Sequence, residues 1–116
     1  MRVISQDGTI DVPYDYFSLS IASEKYEDVE VVHVYCHNLS SPKGTKLAEY
    51  SSREKALKAM KMLRDRYMSL EIIKVVASGA AEYMEKRMPE EEIQSTINEY
   101  WEATIFQFPA DDEVEV

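Results

Sequence analysis

The feature that most constrains this chain is a change of hydrophobic period at Ser51-Ser52-Arg53-Glu54. Before it, short β-forming runs are separated by turn residues. After it, apolar residues recur at helical spacing. A chain divided in this way predicts an α+β fold, with an antiparallel sheet from the first half packed on helix from the second. Arg2 to Ser5 and Thr9 to Val12 flank Asp7-Gly8, a hairpin signal because glycine accepts the positive φ of a tight turn. Pro13 ends the second strand. Tyr16 to Ile21 is a third strand candidate, Glu24 to Asp28 a charged turn, and Val29 to His37 the clearest strand of all. Pro42-Lys43-Gly44 reads as the next turn, with Thr45 to Tyr50 returning as a strand.

Ser51 with Glu54 three places on predicts a capping box, and Ala56, Met60, Leu63 and Tyr67 then mark one face of a helix over 52–68. Residues 70–78 are β-branched yet flanked by helical segments, so their composition fits strand and helix equally. Helix is expected over 80–88. Pro89 followed by three glutamates starts a further helix, whose buried face is predicted from Ile93, Ile97, Tyr100 and Trp101. Thr104 to Phe108 alternates as a strand that should join the sheet of the first half. The expected organisation is one domain over 1–109, with 110–116 an acidic, mobile tail.

Net charge limits the partners. Against 13 Lys and Arg stand 22 Asp and Glu, a balance of −9, and such a surface repels nucleic-acid phosphates unless they enter a locally basic pocket. Direct binding of duplex nucleic acid is therefore not expected. No apolar run approaches the roughly 18 residues of a membrane span, and the first residues lack the apolar middle of a signal peptide. The single cysteine, Cys36, fits a reducing, cytoplasmic setting.

His33, Cys36 and His37 invite a metal reading, but a strand puts Cys36 on the opposite face from the histidines, which would stand roughly 13 Å apart at about 3.3 Å per residue. No metal or other cofactor is expected. Nor does the sequence carry a serine elbow or a glycine-rich phosphate loop, so it predicts a protein that is not an enzyme.

Binding chemistry is more open. A ring beside an arginine grips a nucleobase by stacking and cation–π contact. The basic candidates are Arg2, Arg53, Lys55, Arg64 and Arg66, and the rings are Phe106 and Phe108. Ser51, Ser52 and Arg53 at a helix start together predict an anion site.

Three short blocks, Arg2-Val3-Ile4-Ser5-Gln6-Asp7-Gly8 with Val12-Pro13-Tyr14, Leu47 to Ala56, and Phe106-Gln107-Phe108-Pro109, resemble small proteins of Firmicutes phages and prophages. The arrangement is most similar to the first Thoeris anti-defence family. That resemblance implies a non-catalytic sponge, a homo-oligomer that sequesters glycocyclic ADP-ribose, and in some members cyclic oligonucleotides, in the cytoplasm of an infected bacterium. It implies a grip by arginines and an aromatic ring at sites between subunits, for which this chain offers Ser51, Ser52, Arg53, Arg64, Arg66, Phe106, Gln107 and Phe108. Glutamine stands at 107 where a basic residue would hold phosphate more strongly. Two other functions fit the composition: an acidic inhibitor that occupies a nuclease in the anti-CRISPR manner, and an adaptor that docks a protein through its helices. The large apolar residues of the second half, from Met60 and Met62 to Trp101, lead to the expectation of a homo-oligomer whatever the ligand.

Overall fold

The computed structural model describes residues 1–38, 40–87 and 89–116, the side chains of 75–87 and 96 excepted. It is α+β, as the change of period requires. The elements are β1 (Arg2–Ile4), β2 (Asp11–Pro13), β3 (Ser18–Tyr26), β4 (Val29–Asn38), β5 (Ser41–Tyr50), α1 (Arg53–Arg87), α2 (Glu90–Ala103) and β6 (Ile105–Gln107).

The strands form two three-stranded sheets, β2-β1-β6 and the antiparallel meander β3-β4-β5. The C-terminal strand joins the first of these and runs parallel to β1, pairing Val3 with Phe106. The sequence predicts one antiparallel sheet that includes this strand, but alternation of side chains reveals a strand without its direction or its sheet. Gln6 ties the two sheets together. Its backbone N–H donates to the Leu47 carbonyl, its side-chain amide donates to the carbonyls of Glu49 and Pro109, and its side-chain oxygen accepts from the Glu49 N–H.

The turns follow from local chemistry. Gly8 takes φ +79°, while the Asp7 carboxylate accepts from the hydroxyls of Ser5 and Thr9 and from the Thr9 N–H. These bonds, that from Ser5 first, hold the Asp7 carboxyl down at about 2. Between β3 and β4 the two-residue turn is Glu27-Asp28, both at positive φ, at the end of the segment expected to turn, while β3 runs on through Glu24 to Tyr26. The expected turn at Pro42-Lys43-Gly44 lies instead inside β5. The chain reverses earlier, where the Asn38 side chain accepts from the N–H groups of Ser40 and Ser41, and Gly44 at φ +83° lies in a stretch where the register between β4 and β5 shifts.

Helix α1 starts one residue later than the predicted capping box. The Lys55 N–H donates to Ser52 Oγ, so Ser52 is the cap. Ser51 is used otherwise: its N–H and hydroxyl both donate to the Asp111 carboxylate. The helix then continues through 70–78 as helix and on to Arg87, 35 residues or about 52 Å at 1.5 Å per residue.

The core lies between the sheets and the first turns of α1. Val3, Val32, Val34, Cys36, Leu47, Ala48, Tyr50, Ala56, Ala59, Leu63, Phe106 and Phe108 meet there. So does Val114, 3% exposed, from the segment expected to be a mobile tail. Residues 111–113 form a turn of 3₁₀ helix, and Asp111 is held by Ser51 and Lys55 while Val114 fills the core.

Candidate functional site

The eight residues expected to bind a ligand do not form one site. Ser51 and Ser52 are engaged by Asp111 and by the helix cap, and Lys55 donates to both the carboxylate and the carbonyl of Asp111. The anion site predicted at the start of α1 thus holds an anion, the chain's own carboxylate. Contacts from Ser51 and Lys55 keep that carboxyl below the usual range. Arg53 is exposed nearby. Arg64 lies eleven residues further along α1, roughly 16 Å away. It lines a second cleft with Tyr14, Asp15, Phe17 and Met60.

Phe106 and Phe108 are core residues, 4% and 1% exposed, packed edge to face on each other. Neither ring has a free face for a base. Arg66 lies 5.8 Å from the Phe106 ring and donates to the Ile105 carbonyl, which makes it a fastener between α1 and β6. Gln107 is exposed and turned toward the β1–β2 turn, its amide 3.4 Å from the carbonyls of Ser5 and Gln6. The alternation that identified β6 is what buries its two rings, since both lie on the face turned to the core.

The ring-and-cation chemistry is found elsewhere. A cleft of about 280 Å³ opens between α1, α2 and the start of β1, lined by Met1, Arg2, Tyr67, Leu70, Glu71, Lys74, Tyr100, Trp101 and Thr104. Leu70 forms its buried base. Tyr67 and Lys74 project from α1 two turns apart, and α2 brings Tyr100 and Trp101 against them, their rings 6.0 Å apart and nearly perpendicular. Tyr67 stacks at 4.6 Å on Tyr14, which fixes one wall.

Arg2 and Lys74 both line this cleft, and each is partly engaged. Arg2 donates through Nε to Asp11 at 2.8 Å, with a longer contact to the Asp11 carbonyl, and so spends two of its five N–H donors among the described residues. Lys74 donates to Glu71 at 3.1 Å. That hydrogen bond and the charge behind it raise the Lys74 ammonium above its ordinary value, so it stays fully charged at neutral pH. The charges of Glu71 and Asp15 push the Tyr67 phenol up, which keeps it a neutral donor.

Of the face predicted to be buried on α2, Ile93 and Tyr100 are partly covered, whereas Ile97 is exposed and Trp101 is 63% exposed. Sequence periodicity found the stripe but not how much of it α1 would cover. The signal for the cleft was present as Tyr67, Tyr100 and Trp101, read as packing residues; joining them to Arg2 needs contacts across about 100 positions.

On β4, Cys36 faces the core while His33 lies on the other face, 3.4 Å from both Glu49 and the Tyr35 hydroxyl. Among the described residues no group of three or more His, Cys, Asp and Glu is placed to hold a metal ion. Nor is any helix among them long and apolar enough to cross a membrane.

Comparison with known protein families, with curated proteins and with solved structures gives no match.

Proposed function

We propose that the protein is a non-catalytic binding protein that holds a nucleotide in the cleft between α1, α2 and β1. The observation that carries this reading is Trp101, whose large ring stands 63% exposed at a cleft that also contains Arg2 and Lys74. Exposing an indole works against stability unless something covers it. Base stacking on such a ring contributes about 1–3 kcal/mol per base, and charge-assisted hydrogen bonds from Arg2 and Lys74 add hold on a phosphate. At about 280 Å³ the cleft is near the lower end of the roughly 300–1,000 Å³ range of ligand pockets, a fit for one nucleoside unit. A cyclic nucleotide would seat one of its bases there.

The resemblance gives this chemistry a biological setting. The ligands to test first are the cyclic nucleotide signals of bacterial immunity, glycocyclic ADP-ribose and cyclic oligonucleotides, which a phage protein would sequester in the host cytoplasm. Exposed Leu57, Met68 and Ile72 fall within one strip of α1, on the side turned away from Ala56, Ala59 and Leu63, and support a homo-oligomer in which a second copy covers that strip.

Calorimetric titration of the protein and of Trp101→Ala with these ligands tests the reading. The wild-type protein is expected to bind at least one of them, the variant to bind it at least tenfold more weakly, and heating the complex to return the ligand chemically intact. Equal binding by the variant would remove the cleft from the function. Recovery of a cleaved product would make the protein an enzyme, and no binding by the wild-type protein would shift the reading to a protein-docking role.

A further inference from the structure

We propose that the second cleft, where the 3₁₀ turn Tyr14–Tyr16 and β3 face α1, is a separate site for a small aromatic carboxylate anchored by Arg64. At about 410 Å³ it falls within the roughly 300–1,000 Å³ range of ligand pockets. Most of its lining is apolar: Leu63 is buried, and Phe17, Leu19 and Met60 pack half-buried on the core. Tyr14, stacked on Tyr67 at 4.6 Å, adds a fixed pair of rings. Arg64 is exposed and makes no hydrogen bond or ion pair among the described residues. In this it differs from Arg2 and Lys74 of the first cleft, which are bridged to Asp11 and Glu71. A guanidinium with all its donors unspent is matched by a carboxylate, which it can grip with two parallel hydrogen bonds.

The rest of the lining sets the body of that ligand. The polar edge of a nucleobase would give up its bonds to water against Phe17, Leu19, Met60 and Leu63 with little in exchange, so a hydrocarbon body fits better. Rings meet ring and thioether surface in Phe17 and Met60, and a rigid ring system loses less conformational freedom on binding than an alkyl chain. Asp15 is the one carboxylate of the lining, and among the described residues it forms no ion pair with Arg64. Its charge would oppose a second negative charge on the ligand, which favours a monoanion over a phosphate dianion.

The probes are 2-naphthoate and its neutral isostere 2-naphthamide, titrated by calorimetry into the full chain, into Arg64→Gln and into Trp101→Ala. The wild-type protein is expected to bind the carboxylate about tenfold more tightly than the amide, the difference a hydrogen-bonded charge supplies. Arg64→Gln alters an exposed position, so the fold should stand, and the preference should disappear through weaker naphthoate binding. Trp101→Ala should bind naphthoate as the wild-type protein does, because Trp101 lines the first cleft and not the second. Failure of the wild-type protein to bind naphthoate, equal affinity for the two probes, or an unchanged preference in Arg64→Gln would each overturn the inference. So would loss of naphthoate binding in Trp101→Ala, which would place the probe in the first cleft. None of these results decides whether the first cleft holds a nucleotide, so the two readings fail separately.

Discussion

Replacing Val114 with alanine tests whether the last residues belong to the fold. Val114 is 3% exposed within the core cluster, while Val116, two residues on, is 69% exposed. Truncation to alanine removes two methyl groups, about 1.6 kcal/mol at about 0.8 kcal/mol for each buried carbon. A cavity that closes only in part raises the cost to about 2 kcal/mol. For a domain of 116 residues, unfolding entropy near 2.1 cal/mol/K per residue converts that into a fall in Tm of about 8 °C. The loss has a ceiling, because a weakened tail can undock locally while Phe108 and the rest of the core stay folded, and the cost then stops at the free energy of docking. Urea denaturation and thermal melting of Val114→Ala beside Val116→Ala measure the difference. The expected result is a clear loss in the first and a change within about 0.5 kcal/mol in the second. Equal midpoints for the two variants would mean that the tail does not pack, and that Asp111 does not anchor it.

The start of α1 can be tested in the same way: Ser52→Ala should cost about 1 kcal/mol through the lost cap, and Ser51→Ala less, since Ser51 is exposed and its hydroxyl donates to Asp111 rather than to the helix. A larger loss at Ser51 would return the cap to that residue. Asp7 should titrate near 2 by nuclear magnetic resonance, and Thr9→Val, which removes one of its hydroxyl donors, should raise that midpoint. Its folded value lies below the roughly 3.9 of an unfolded aspartate, so its contribution to stability is present in full above about pH 4 and is lost as pH falls through about 2. An Asp7 midpoint near 3.9 would contradict the hydrogen-bonded turn.

What the sequence made legible was local. Asp7-Gly8, the run from Val29 to His37 and the period of Ala56 and Leu63 each declare their structure within a few residues, and each is found. Pro42 and Gly44 misled because proline is tolerated in a strand at a position without a ladder donor, and glycine serves a β-bulge as readily as a turn. Leu70 to Ser78 stayed ambiguous because β-branched composition opposes a helix whose burial begins with Leu70, a long-range contact that local sequence does not report. The site was the least legible part. Phe106 and Phe108 had the right chemistry but lie on the core side of β6, while Arg2, Lys74 and Trp101 come together only once α2 folds back to the start of β1. Charge on one helix start pointed correctly to an anion, but the nearest anion is Asp111 of the same chain, and it has no entropy of association to lose.

Trp101 is the chain's single tryptophan, so tryptophan emission, excited selectively over the eight tyrosines, reports on the cleft. A titration of the native protein with the cyclic nucleotides, followed at the tryptophan emission, is the most direct measurement of the central claim. The account predicts saturable quenching as a base stacks on the indole, reversed on dilution, and absent for ribose 5-phosphate, which carries charge without a base. Emission that stays flat to millimolar nucleotide, or that changes equally with ribose 5-phosphate, would contradict it.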